Sequence, residues 1–193
     1  MSRDKHHPQR HTRRRFLGGL ALYCAAPSVF ARAGTAAGHA HADLSAPDRS
    51  VSFLHTHTGE SLRADYFQRG QYQSDCLTQV NYLLRDFRTG EVHPIDPKLL
   101  DTLFALQVMA DRRGVFQVIS GYRSAATNAM LRRTTEGVAQ HSMHLEGRAI
   151  DVRLEGFPTR GLAQLARSLH GGGVGFYPVS DFVHVDTGRL RFW

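Results

Sequence analysis

Polar and apolar residues alternate along two neighbouring stretches in the first half of the chain. The stretches VSFLHTHT and SLRADYF flank Thr58-Gly59-Glu60. A period of two residues is typical of a strand with one buried face, and a glycine between two such stretches favours a hairpin. The sequence therefore predicts a folded domain that begins near Val51 with a β-hairpin.

Two stretches with apolar residues at every third or fourth position follow the hairpin and predict helices. The first begins at Ser74-Asp75, which we expect to cap the helix, and its apolar stripe is Leu77, Val80, Leu84 and Phe87. The second begins at Asp96-Pro97 and ends by Gly114, and its stripe is Leu99, Leu103, Leu106 and Ala110. Each stripe gives its helix one face that packs into a core.

The second half of the chain alternates short apolar stretches with further helical ones. The predicted strands are VFQVIS, RAIDVRL and FVHVDT, and the last one follows a glycine run as part of an antiparallel hairpin. The predicted helices are ATNAMLRR and a segment from about Thr159 to Leu169. This order predicts an α+β domain over residues 51–193, with a small antiparallel sheet and flanking helices.

Charge is distributed unevenly along the 193 residues. The formal net charge is +7, but residues 1–33 alone hold seven Lys and Arg against one acid. The remaining chain carries 17 basic and 16 acidic residues, without a basic run interleaved with aromatics. The composition therefore argues against a nucleic-acid partner.

The basic leader has the three parts of an export signal. Thr12-Arg13-Arg14-Arg15-Phe16-Leu17 resembles the twin-arginine export motif. The apolar part from Phe16 to Phe30 is too short for a stable membrane span, which needs roughly 20 residues. Cleavage after Ala33 would leave a flexible linker at residues 34–50. We expect the twin-arginine machinery to export the chain to the periplasm, where it acts as a monomer.

Two strands place acidic and histidine side chains on one face. In RAIDVRL, Asp151 alternates with apolar residues, and Gly147 allows the chain to turn so that His144 approaches the same point. In FVHVDT, His184 and Asp186 share the face opposite the two valines. His144, Asp151 and His184 match the three-ligand arrangement of a catalytic zinc site. The alternatives are a solvated turn at His144 and a structural core histidine at His184.

These residues also carry a family resemblance. The segment from Ser142 to Asp151 resembles the S-x-H-x-x-G-x-A-x-D signature of the zinc D-Ala-D-Ala metallopeptidases, which are related to lysostaphin and the hedgehog fold. The segment from Ser120 to Ser124 resembles that group's arginine motif. With residues 54–61, 172–178 and 182–188, the chain is most similar to the YcbK-like branch of murein endopeptidases. The resemblance covers residues 51–193 and implies a Zn²⁺ peptidase with a hedgehog-like fold that acts on peptidoglycan stem peptides.

The resemblance leaves the catalytic base open. Many relatives carry Glu three residues before the last zinc histidine or His two residues before it, and this chain has Asp181 and Phe182 there. Asp186 shares a face with His184, so we prefer it over Asp181 as the base, or else as a group that orients the ligand.

Three further residues are candidates for substrate contact. Arg123 is expected to polarise the scissile carbonyl or hold a substrate carboxylate, and its alternative is an exposed turn arginine. Ser142 is placed to hydrogen-bond near the metal or substrate, or to cap a turn. His57 belongs to an H-x-H pair with His55, and we expect a structural or substrate-cleft role for the pair instead of a metal site.

The sequence thus predicts a zinc metallopeptidase that hydrolyses peptidoglycan cross-links. Two alternatives stay open. A D-Ala-D-Ala carboxypeptidase would use the same metal centre on a terminal bond. A cell-wall-binding zinc domain would keep the fold without turnover.

Overall fold

The computed structural model describes residues 48–135 and 139–193. The predicted export signal and residues 34–47 of the predicted linker lie outside this part. The first strand begins at Arg49, two residues before the predicted start of the domain. None of the helices in the described ranges is long and apolar enough to cross a bilayer.

One sheet forms the centre of the described fold. Its strands are Arg49–His55 (β1), Ser61–Gln68 (β2), Gln71–Tyr72 (β3), Val115–Ser120 (β4), Ala149–Leu154 (β5), Gly173–Tyr177 (β6), Phe182–Asp186 (β7) and Arg191–Phe192 (β8). The strand order is β3-β2-β1-β4-β5-β7-β6-β8. Only β1 with β4 and β6 with β8 pair in parallel among these described strands. The other neighbours are antiparallel, including the predicted hairpins β1–β2 and β6–β7.

Four α-helices and one 3₁₀ turn complete the described structure. They are Ser74–Leu83 (α1), Pro97–Met109 (α2), Ala125–Thr134 (α3), Thr159–Leu169 (α4) and the 3₁₀ turn Met143–Glu146. The backbone N–H of Lys98 donates to the Asp96 side chain, which caps α2. Helix α1 instead has Gln73 at its N-cap position, without a side-chain cap, so the predicted capping role of Ser74-Asp75 is wrong.

The α+β class is confirmed, and the sheet is larger than the small one that the sequence predicts. It has eight strands, of which β3 and β8 span two residues each. Strands of that length carry no periodicity, so neither was predicted. Their positions follow from their partners, β2 and β6.

Alternation along β5 and β7 separates the core from the polar face. Ile150, Val152 and Val183 are fully buried in the hydrophobic core. Helices α2 and α4 both contact β5, and α4 also contacts β6 and β7. The intervening residues of the same strands, including Asp151 and His184, project to the opposite face. That face carries the candidate site.

Candidate metal centre

The candidate metal centre forms where β5, β7 and the 3₁₀ turn meet. Asp151 pairs directly with His184 in the register of β5 and β7. The turn brings in His144 and ends at Gly147, which has a φ of 65°. A Cβ at Gly147 would collide with the carbonyl oxygen of Pro94. Glycine therefore allows both the left-handed conformation and the close packing that place His144 beside the strands.

Three buried ligand atoms lie close together in this centre. Asp151 Oδ1 is 2.9 Å from His184 Nδ1 and 3.3 Å from His144 Nε2. His144 Nε2 is 3.2 Å from His184 Nδ1. All three residues are less than 9% exposed. The structure thus brings together the three ligands that the sequence predicts.

Neighbouring groups fix which ring nitrogen of each histidine faces the cluster. His144 Nδ1 lies 2.7 Å from the carbonyl oxygen of Gly121, which can only accept, so Nδ1 carries the proton. His184 Nε2 lies 2.9 Å from Asp186 Oδ2 and donates to that carboxylate. When both rings are neutral, His144 Nε2 and His184 Nδ1 are left to present lone pairs toward Asp151 Oδ1. This arrangement is the one in which outer hydrogen bonds orient metal-ligating histidines.

Arg123 holds the remaining oxygen of Asp151. Its Nη2 donates to Asp151 Oδ2 at 2.8 Å, and its Nε donates to Ser120 Oγ at 3.0 Å. The backbone N–H of Arg123 also donates to the carbonyl of His144. Arg123 therefore connects the arginine motif to two members of the cluster and leaves Asp151 Oδ1 directed at the histidines.

Burial and charge set the protonation of the three residues. Burial lowers the pKa of His144, so its ring is neutral and its Nε2 is available as a ligand. Burial would raise the pKa of Asp151, but the adjacent histidines outweigh it and hold that pKa well below its usual range. Burial also opposes charge on His184, but Asp151 and Asp186 outweigh it and raise its pKa. The buried carboxylate of Asp151 therefore stays ionised, and it favours a proton or a metal cation between its Oδ1 and the two histidine nitrogens.

A cavity of about 560 Å³ opens at the cluster. Its lining contains the three clustered residues and Arg123, together with His57, Arg88, Ser142, Tyr177, Phe182 and Trp193. A volume of this size accommodates a small ligand or a short peptide segment. Two imidazoles and one carboxylate at its wall form a donor set suited to a transition-metal ion.

Comparison with known proteins assigns the chain to a family. The family model described as "Peptidoglycan L,D-endopeptidase MepK" matches residues 43–193. The chain belongs to this peptidase family. It is 43% identical over 155 residues to the peptidoglycan L,D-endopeptidase MepK of Escherichia coli strain K12, covering 80% of this chain and 85% of the relative. It is also 43% identical over 146 residues to the probable peptidoglycan L,D-endopeptidase MepK of Haemophilus influenzae, covering 75% and 78%.

The two acids considered as the base in this MepK-family chain both lie outside the cavity lining. Asp186 is buried behind His184, and its carboxylate accepts from Arg191 and from the backbone N–H groups of Gly173 and Gly188. Burial would raise the pKa of Asp186, but the hydrogen bond from His184 and those backbone donors lower it. Asp181 is exposed and accepts a hydrogen bond from the Thr159 hydroxyl at the start of α4.

The other predicted contact residues are at the cavity. Ser142 lines it and also accepts from the backbone N–H of His144 at 3.4 Å, so it caps the 3₁₀ turn. His57 is exposed, lines the cavity, and stacks on Phe87 with 4.3 Å between ring centroids. His55 is buried and accepts from the backbone N–H of His57.

Three residues around the MepK-family site were not predicted from the sequence. Asp86 is buried and accepts hydrogen bonds from both the backbone N–H and the hydroxyl of Ser124. Ser124 is the residue directly after Arg123. Arg191 bonds Asp186, and Trp193 lines the cavity. No local pattern marks them, because each acts through a partner that is distant in sequence or on another strand.

Proposed function

We propose that this chain is a zinc-dependent murein endopeptidase that hydrolyses peptide cross-links of peptidoglycan. One observation carries the proposal: within a chain of the MepK family, two histidines of fixed tautomer and one carboxylate converge at the wall of a cavity. The Arg123 guanidinium borders the same cavity.

The residues fit a zinc ion. Zinc bonds of about 2.0–2.2 Å in tetrahedral geometry separate neighbouring N and O ligands by roughly 3.3 Å. The three separations in the cluster are 2.9, 3.2 and 3.3 Å. With both rings neutral, the lone pairs that face one another at such distances repel unless a proton or a metal ion lies between them. His144 Nε2, Asp151 Oδ1 and His184 Nδ1 would hold the ion, and three protein ligands are the number used by catalytic zinc sites.

A bound zinc ion would supply Lewis-acid polarisation of the scissile amide and a lowered pKa for the attacking water. The residues of the chain do the remaining work. Gly121 and Asp186 hold the ring protons of His144 and His184 away from the cluster. Arg123 donates one edge of its guanidinium to Asp151 while lining the cavity. Its remaining N–H groups can donate to the carbonyl oxygen or to a carboxylate of the stem peptide.

Between the two roles considered for Asp186, the geometry supports orienting His184. A base has to reach the proton that it accepts, and neither Asp186 nor Asp181 lines the cavity. Two imidazoles outside the cluster do line it, His57 and His141. Stacking on Phe87 holds His57 in place, so we assign His57 to contact with the substrate and acceptance of the proton.

The names of the relatives support a finer proposal for the substrate. They are named L,D-endopeptidases, a term for cleavage between an L-centre and a D-centre. The 3-3 cross-link between two stem peptides of peptidoglycan is an amide of this kind, so we propose this bond as the substrate. Peptidoglycan lies outside the cytoplasmic membrane, which agrees with twin-arginine export of a monomer to the periplasm and removal of residues 1–33.

Digestion of purified muropeptides tests the proposed function. Cross-linked dimers are incubated with the zinc-loaded protein, with the chelated protein and with the chelated protein after zinc is restored. We expect 3-3 dimers to yield monomers only when zinc is present. Release of terminal D-Ala without loss of dimers would favour a carboxypeptidase, and binding without new products would favour a non-catalytic wall-binding domain.

A further inference from the structure

Trp193 lies beside a proposed metal ligand. Its ring centroid is 5.2 Å from that of His184, and the residue is 45% exposed and lines the cavity. An indole that is half exposed and directly next to a ligand presents an apolar surface to whatever occupies the cavity.

The sheet holds Trp193 in this position. The backbone N–H of Trp193 donates to the carbonyl of Val174, and its own carbonyl accepts from the N–H of Phe176. The indole N–H donates to the hydroxyl of Tyr177 at 2.8 Å. The backbone N–H, the backbone carbonyl and the indole N–H of Trp193 all bond to residues of β6, so the indole is fixed relative to the candidate metal centre.

The glycines of β6 provide the space that this arrangement needs. A Cβ at Gly175 would lie 2.5 Å from the indole ring of Trp193, and a Cβ at Gly173 would collide with Asp186 and Arg191. The glycines of β6 therefore allow Arg191 of β8 and Trp193, which directly follows β8, to pack against the site.

The indole is part of a larger aromatic surface. Tyr177 stacks on Phe182 with 4.5 Å between ring centroids, and both residues line the cavity with Trp193. We define Trp193, Tyr177 and Phe182 as the aromatic wall. A continuous wall of rings suits the aliphatic groups of a peptide, because burial of such groups against aromatic faces is favourable.

We propose that Trp193 is a substrate-contacting residue whose indole face packs against aliphatic groups of the stem peptide next to the scissile bond. This inference rests on the proposed function and adds a specificity-determining position to it. Arg191 of β8 packs on the same site, where it donates to Asp186, and is a positioning residue for His184.

Steady-state kinetics on the cross-linked dimer test the proposal. Trp193→Ala removes the indole, and Gly175→Ala displaces it through the added Cβ. We expect both to raise KM by roughly five- to tenfold with kcat and zinc content near those of the wild type. Trp193→Phe, which keeps an aromatic face, should recover most of the affinity. Phe192→Ala is the matched control, because Phe192 is the aromatic residue directly before Trp193 and does not line the cavity.

Trp193 also provides a readout that does not depend on turnover. It is the single tryptophan of the sequence, so the emission reports this position alone. We expect the monomer product to change the emission of the zinc-loaded protein, and a sugar-free stem peptide to do the same. An unchanged emission with saturating product would overturn the proposal, even for a protein that cleaves dimers.

Three other results would also contradict the proposal. An unchanged KM in Trp193→Ala with reduced zinc content would make the indole a support for His184 only. An equal rise of KM in Phe192→Ala would make the effect one of β8 as a whole. A response to the disaccharide-containing product but none to the sugar-free peptide would assign the wall to the glycan.

Failure of the wild type to cleave any dimer, with emission still responsive to product, would refute the proposed hydrolysis and not the contact between Trp193 and the stem peptide.

Discussion

Asp151 and His184 face each other across β5 and β7, and Asp151 Oδ1 lies 2.9 Å from His184 Nδ1. Each has a second partner on its far side: Arg123 for Asp151 and Asp186 for His184. The atoms that face the proposed metal are thus oriented by the hydrogen bonds behind them. This relationship leads to separate predictions for the ligands and for their supporting groups.

Asp186→Asn should weaken zinc binding by about 10- to 100-fold. The amide has no negative charge, so it is a weaker acceptor for the His184 N–H and does not form an ion pair with Arg191. Asp181→Asn is the matched control, since Asp181 is exposed directly before β7 and does not line the cavity, and it should leave zinc affinity and turnover nearly unchanged. Isothermal titration of zinc into both apo-proteins measures the difference. Normal zinc affinity combined with lost turnover in Asp186→Asn would instead return the base role to Asp186.

His57→Gln should lower kcat by about 10²- to 10⁴-fold with zinc content intact, because glutamine keeps a polar side chain but does not accept the proton from water. His141→Gln, at the same cavity, should have a mild effect. Single-turnover cleavage of the dimer, together with metal analysis, compares the two variants. If the larger loss is found in His141→Gln, the proton acceptor is His141.

Asp86 is expected to stabilise the loop that carries Arg123. Burial would raise its pKa, but hydrogen bonds from Ser124, Thr127 and Arg88 outweigh burial and lower the pKa to about 2 from 3.8. A pKa lowered in the folded state gives stability that is present above about pH 4 and lost as the pH falls toward 2.

Asp86→Asn should therefore lower the free energy of unfolding by about 2 kcal/mol at pH 7, and the difference from the wild type should shrink between pH 4 and pH 2. Urea unfolding across this range measures it. A difference that does not depend on pH would show that the charge of Asp86 is not what stabilises the loop.

Arg13→Lys combined with Arg14→Lys should keep the protein in the cytoplasm, because the predicted twin-arginine signal requires the arginine pair. Fractionation of cells that express the tagged double variant checks this. Normal processing and appearance of the variant in the periplasm would indicate the general secretion route.

Much of the candidate metal centre could be predicted from the sequence because the patterns that place its residues are local. Alternation along a strand places Asp151 on the polar face of RAIDVRL and puts His184 and Asp186 together in FVHVDT. A glycine at position 147 explains the turn that brings His144 near. The register that sets Asp151 opposite His184 comes from the pairing of β5 with β7, which the sequence pattern does not specify.

Three residues around the site could not be predicted, because long-range pairing brings them to it. Arg191 and Trp193 reach the site through a two-residue strand that pairs in parallel with β6, and such a strand carries no periodic signal. Asp86 follows the end of α1 and accepts a hydrogen bond from Ser124, which is 38 positions away in the sequence. The preference for Asp186 as a base came from strand alternation, which gives the face of a side chain but not the partners that occupy its carboxylate.

Metal content of three single variants tests the central claim most directly. His144→Ala, Asp151→Ala and His184→Ala are purified, loaded with zinc, dialysed and analysed alongside the wild type and His57→Ala. Because an open three-ligand site cannot lose a donor and retain its affinity, we expect about one zinc per chain in the wild type and His57→Ala. Each ligand variant should retain far less zinc and show no cleavage of dimers. A full zinc equivalent retained by all three ligand variants would contradict the assignment of this cluster as the catalytic metal site.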